Sequence, residues 1–149
     1  MNHEYFMSLA IEEAKLAYEK NEVPIGAVVV KDGVVIASAH NLREETNQAV
    51  AHAEILAIQK ANIALNSWRL DTCTLYVTIE PCPMCAGAII QSRIENIVYG
   101  AKDPKSGVHK SITNLFELPF NHNVNVIGGI KEKESSYLLS DFFKELRNK

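Results

Sequence analysis

Two short segments of the 149-residue chain carry residue types that can do chemistry together: His52-Ala53-Glu54 and Pro81-Cys82-Pro83-Met84-Cys85. Cys82 and Cys85 are three apart, so one helical turn brings both sulfurs to the same face. Pro83 suits the first turn of a helix, where its missing N–H has no partner to lose. A helix start also offers free N–H groups and the positive end of the dipole, and both favour thiolates. Two thiolates and one imidazole leave the fourth tetrahedral position of a zinc ion open, which is the pattern of a catalytic site. Glu54 follows His52 by two residues, about 200° round an ideal helix, so the two cannot share a metal from one helical face. At a helix start that geometry relaxes. His52 can then reach the ion while Glu54 sits beside the open position as proton carrier. Zinc matters because it lowers the pKa of a bound water from about 15.7 to about 7. Each segment alone is weak: His-x-Glu is commonly just the solvated side of a helix, and a lone Cys-x-x-Cys also fits a redox pair or half a zinc ribbon.

The elements around these segments must hold them in place. Phe6, Leu9, Ala10, Ala14, Leu16 and Ala17 recur at helical spacing between Glu4 and Lys20, which predicts an amphipathic helix stopped before Pro24. Residues 26–30 and 34–39 are β-branched runs joined by Lys31-Asp32-Gly33, a hairpin signal. Helices are expected over 49–65 and 82–92, and strands over 74–79 and 94–100. A polar stretch over 102–110 precedes a short helix around 111–116 and a weaker strand over 123–127. The last helix, about 132–147, carries Tyr137, Leu138, Phe142 and Leu146 as its expected buried stripe. Helix, hairpin, then alternating helix and strand argues for one α/β layered domain, residues 1–149, with a mixed sheet.

Composition narrows the function classes. The chain has 15 Lys+Arg against 18 Asp+Glu, a charge of −3, so it is no globally basic nucleic-acid binder. The balance is uneven, however: −5 over residues 1–100 and +2 over 101–149. No apolar run approaches the roughly 20 residues of a membrane span, and Met1-Asn2-His3-Glu4 does not read as a signal peptide. Three cysteines suit a reducing compartment and metal ligation better than a disulfide framework. A cytoplasmic protein without membrane contact is the expectation.

The ordered pair H-x-E…P-C-x-x-C is the known signature of zinc-dependent base deaminases, so that match is one of resemblance. Over nearly its full length the sequence further resembles the bacterial tRNA-specific adenosine deaminases, the TadA family. The matching segments include Glu22-Val23-Pro24-Ile25-Gly26-Ala27-Val28, His40-Asn41, Ala51-His52-Ala53-Glu54-Ile55 and Thr78-Ile79-Glu80-Pro81-Cys82. After Cys85 come Ser92-Arg93-Ile94, Asp103-Pro104-Lys105-Ser106-Gly107, Asn121-His122 and Leu139-Ser140-Asp141-Phe142-Phe143. These later segments separate the family from cytosine, guanine, cytidine and deoxycytidylate deaminases, which share the zinc motif.

The resemblance implies a three-layer α/β/α cytidine-deaminase-like fold with a mixed five-stranded sheet. It implies hydrolysis of adenosine to inosine at the wobble position of an arginine tRNA anticodon, with one Zn²⁺ per subunit on His52, Cys82 and Cys85. Water activated on zinc attacks C6 of the adenine, and Glu54 carries its proton to the ring nitrogen and the leaving ammonia. By the same resemblance Asn41 hydrogen-bonds the flipped base. Asp103, Lys105, Ser106 and Asn121 line the groove for the anticodon stem-loop, and Phe142 and Phe143 shape its edge. Backbone N–H groups at Ala53 and Cys82–Cys85 help to seat the leaving group. A homodimer is implied too. Recognition of splayed loop bases needs only a local groove, so an acidic chain is compatible with an RNA substrate.

The sequence departs from the family at four places: Ala49-Val50 stands for Pro-Thr before Ala-His-Ala-Glu, Val108-His109-Lys110 is bulkier and more basic, Asn123 replaces an Arg, and Pro83 resembles guanine deaminases. A free-base or nucleoside deaminase acting on guanine or cytosine is therefore the alternative. A non-catalytic zinc-stabilised RNA-binding module is a third reading, and it leaves Glu54 without a task. Outside the motifs, ordinary roles are expected: Cys73, Trp68 and the Phe142-Phe143 pair in the core, Asp103 as a turn residue beside Pro104, and Lys102, Lys105 and Lys110 as solvated loop lysines. His3, His40, His109 and His122 have no spacing that completes the zinc site.

Overall fold

The structure, a computed structural model, describes residues 2–148; Met1 and Lys149, the two ends of the expected domain, lie outside the described residues. Helix α1 (His3–Glu19) starts at Asn2, whose side chain accepts the Tyr5 N–H, as an N-cap should. Strands β1 (Gly26–Lys31) and β2 (Val34–His40) form the hairpin, turned at Asp32 and Gly33, both at positive φ. A four-residue helix α2 (Arg43–Thr46) follows, then α3 (Ala53–Leu65), β3 (Cys73–Ile79), α4 (Pro83–Gln91) and β4 (Asn96–Ala101). A 3₁₀ turn at Leu115–Glu117, β5 (Asn125–Ile127) and α5 (Glu132–Arg147) complete the chain. None of these helices is long and apolar enough to cross a membrane.

The five strands form one mixed sheet in the order β2-β1-β3-β4-β5. The hairpin side is antiparallel, and β3, β4 and β5 run parallel. Strand alternation divides the sheet between two cores. Val28, Val30, Tyr76 and Val98 pack with Phe6, Met7 and Ala10 of α1. Ala27, Val29, Leu75, Val77 and Ile97 pack with Ala57 and Ala61 of α3 and Ile89 of α4. The result is the three-layer α/β/α arrangement expected. Gly26 is required where α1 crosses β1: a Cβ there would stand 2.1 Å from the Ala10 carbonyl oxygen.

Several expectations change, among them that Phe143 is exposed and not in the core. The helix expected from residue 49 begins at Ala53, after turn residues. The expected helix at 111–116 is instead a loop with a His109–Asn114 bridge, ending in the 3₁₀ turn. On α5 the stripe is narrower: Phe142 is buried, but Tyr137 and Leu146 are 69% and 55% exposed, while Ser135 is buried against Gly100 of β4. Trp68 is 60% exposed, its ring flanked by the guanidinium groups of Arg69 and Arg93 at 5.3 and 5.7 Å. Cys73 is buried at the start of β3, as expected.

Candidate active site

The two chemical segments lie at two helix starts. His52 is the N-cap of α3 and Cys82 the N-cap of α4, both in extended backbone, and Pro83 takes the first helical position. The extended backbone at both caps lets imidazole and thiolate turn toward each other. His52 Nδ1 lies 3.7 Å from Cys82 Sγ and 3.5 Å from Cys85 Sγ, and all three ligand atoms fall within 4.8 Å of one another. A tetrahedral ion with bonds of about 2.3 Å to sulfur and about 2.05 Å to nitrogen requires N-to-S separations of roughly 3.6 Å. The observed spacing fits that ion without rearrangement, and the two soft sulfurs with one imidazole favour zinc over magnesium or calcium.

The protons follow the same geometry. The Cys85 thiol hydrogen-bonds Cys82 and, with His52 beside it, draws the Cys82 thiol down to about 4. Cys85 itself, donating to Cys82 and fully buried, is pushed far above its usual value. The Cys82 contact raises His52. Glu54 is 3% exposed, and burial pushes its carboxyl up to about 7. A carboxyl placed there gives up and recovers a proton with little bias at neutral pH, as general acid–base work needs.

Over His52 and Cys82, but not over the fully buried Cys85, opens a cavity of about 190 Å³. That is below the roughly 300–1,000 Å³ of pockets for drug-sized ligands, and it suits one planar base. Of the expected site residues, the cavity brings His52, Glu54, Cys82, Asn41, Asp103 and Ser106 to its walls. Asn41 is buried; its Nδ2 donates to the Val23 carbonyl at 3.3 Å and its Oδ1 accepts the Arg43 N–H at 3.1 Å. One amide proton and one oxygen lone pair remain for a ligand. Asp103 Oδ1 accepts the N–H groups of Lys105 and Ser106, the turn role its place beside Pro104 predicts.

Lys105, Asn121, Phe142 and Phe143 do not line this cavity. Lys105 and Asn121 are exposed on loops. Phe142 packs edge-on against Tyr18 at 5.5 Å and lines a separate recess with Asn21 and Glu145. Phe143 is 41% exposed beside it. Sequence reading missed Arg43, an exposed cation on the cavity wall, and Glu80, a buried carboxylate there. Arg43 carries a weak signal, a cation two residues after Asn41. Among the departures, Val108 is buried and donates its N–H to the Pro81 carbonyl, and His109 Nδ1 meets the Tyr99 hydroxyl at 2.9 Å. The remaining histidines serve elsewhere: His3 bonds the Tyr76 hydroxyl, His40 pairs with Glu13, and His122 bonds the Ile94 carbonyl.

A mixed five-stranded sheet with a His/Cys/Cys metal-binding triad at two helix starts places the chain in the cytidine-deaminase-like class. The family model of the MafB19-like deaminases matches residues 1–147. A tRNA-specific adenosine deaminase of Bacillus subtilis is 55% identical over 147 residues, covering 98% of this chain and 91% of that protein. A solved tRNA:A34 deaminase, studied for A-to-I editing at the wobble position, superposes with a TM-score of 0.88 at 48% identity, over 91% of this chain and 99% of that one. A solved guanine deaminase of Bacillus subtilis superposes with a TM-score of 0.66 at 34% identity, over 100% and 96%. The chain belongs to the MafB19-like deaminase family, among the bacterial tRNA-specific adenosine deaminases.

Proposed function

We propose that this chain hydrolyses adenosine to inosine at the wobble position of a tRNA anticodon, that of an arginine tRNA, and releases ammonia. The observation that carries the reading is Glu54, buried beside the triad on the wall of a cavity sized for a single base. His52, Cys82 and Cys85 hold Zn²⁺, which supplies a nucleophile at neutral pH by acidifying water. The Glu54 carboxylate takes one proton of the attacking water and passes it to the ring nitrogen of the adenine; it then takes the second, from the hydroxyl now on C6, and passes it to the amino group, which departs as ammonia and leaves the oxygen on C6. Burial of Glu54 suits both directions of that transfer. Asn41 turns its free amide proton and lone pair to the edge of the base. Asp103 and Ser106 line the cavity together with Arg43, which offers a charge to the RNA backbone. Lys105 and Asn121 extend the RNA surface beyond the mouth, with Phe142 and Phe143 at its far edge. The enzyme works in the cytoplasm as a homodimer of single-domain subunits.

A guanine deaminase is the second reading, supported by Pro83 and the 34% identical solved structure. The higher identity to a tRNA-specific adenosine deaminase and the closer superposition on a tRNA deaminase favour the first. Purified protein incubated with an anticodon stem-loop carrying wobble adenosine should form inosine in the RNA, and release no ammonia from guanine, cytosine or cytidine. Ammonia from a free base with no inosine in the RNA would reverse the assignment.

A further inference from the structure

Three residues of the cavity wall, Arg43, Asp103 and Ser106, sit on two weakly structured segments. One is α2, four residues long; the other is the loop from Lys102 to Asn114. Each is held by one carboxylate that is 1% exposed. Glu22 Oε1 accepts the Glu44 N–H at 3.0 Å, and its Oε2 accepts the Glu45 N–H at 2.7 Å. It supplies from outside the helix the cap that Leu42 lacks a side chain to give. Glu80 Oε1 accepts the Asp103 N–H at 3.0 Å and the Ser111 hydroxyl; its Oε2 accepts the N–H groups of His109 at 2.7 Å and Ser111 at 3.3 Å. The loop lies on that carboxylate without slack, since a Cβ at Gly107 would stand 2.3 Å from Glu80 Cδ.

Neither carboxylate forms an ion pair among the described residues. Burying a charge without a counter-charge is expensive, and here only backbone N–H groups and one hydroxyl offset it. Acceptor-only geometry at both oxygens is what a carboxylate alone provides; an amide would turn an NH₂ against an N–H donor. The same costly device holds two separate segments of one cavity wall.

We propose that Glu22 and Glu80 are positioning residues that fix two rims of the cavity, one that carries Asn41 and Arg43 and one that carries Asp103 and Ser106. They govern capture of the RNA loop more than bond breaking. The proposal rests on the tRNA adenosine deaminase reading for its kinetic arm. Glu22→Gln and Glu80→Gln, each keeping side-chain volume, should raise KM for the stem-loop about tenfold, with kcat falling much less and metal content unchanged. Hydrogen exchange should quicken over 43–46 only in Glu22→Gln and over 103–111 only in Glu80→Gln. Ser111→Ala, which removes one donor and leaves the carboxylate, should move KM in the same direction by less. Because the rims are separate, the double variant should multiply the two single effects. Unchanged exchange at both rims, or kcat and KM changing together with lost metal or lost folded protein, overturns the proposal. If the unaltered protein forms no inosine, the substrate reading fails, while the exchange arm still decides the anchors.

Discussion

Replacing Glu54 by Gln separates chemistry from metal binding. The side chain is 3% exposed and glutamine matches its volume, so no cavity opens and packing is kept. The His52 Nδ1 to cysteine Sγ distances of 3.7 and 3.5 Å already suit the ion, and a glutamine keeps an oxygen for the Cys85 sulfur that the Glu54 carboxyl now meets, so the metal stays. What disappears is the buried carboxyl beside the triad, which burial holds at about 7. Positioned proton transfer contributes about 10²–10⁴-fold per step, and Glu54 serves both a proton abstraction and a proton delivery. The expected loss in kcat is therefore at least about 10³-fold, or roughly 4 kcal/mol at 1.36 kcal/mol per decade. Inosine formation in single turnover measures the rate, and elemental analysis of the same preparation measures the metal. Loss of metal would make Glu54 a ligand. A rate within tenfold of the unaltered enzyme would mean that another group carries the proton, and either result refutes the reasoning.

Two further predictions concern the loops. Lys105→Ala should weaken binding of the stem-loop, and the slope of log affinity against log salt should flatten by about 0.7, as for one lost contact to a single strand; an unaltered slope removes Lys105 from the RNA surface. Burial, joined by the nearby Lys110, holds the His109 imidazole below its usual 6.5, against the pull of Glu80 and Glu117. A depressed histidine contributes stability that is present above the unfolded value and lost as pH falls through the folded one. The melting-temperature advantage of the unaltered protein over His109→Gln should therefore shrink between pH 8 and pH 5; a constant difference would show that the ring does not stay neutral.

The parts of the fold legible in sequence are those whose causes are local. Cys82 announces a helix start by its own neighbours and Asp32-Gly33 announces its turn, while the helix at His52 is legible but its start at Ala53 is not. Illegible features depend on distant partners. Helix α2 exists because Glu22, more than twenty residues upstream of its first bonded amide, caps it. The stretch 111–116 is no helix because Glu80 and Val108 claim its N–H groups. On α5 the apolar period is real, yet the close approach to Gly100 buries Ser135 and turns Tyr137 outward. Trp68 lies outside the core, where Arg69 and Arg93, one of them distant in sequence, flank its ring.

The grip of Glu80 on backbone amides sets what kind of sequence drift the loop tolerates. Asp103, His109 and Ser111 offer their N–H groups to it, and an N–H is the same whatever side chain it carries. Proline is thereby barred from 103, 109 and 111, and any side chain is barred from 107. The exposed positions 104, 105, 106 and 110 are free to change character while the path of the loop persists. The departure at Val108-His109-Lys110 fits inside that rule. A lineage can thus redesign what its deaminase reads at the mouth of the cavity without disturbing the strand end that leads into Cys82.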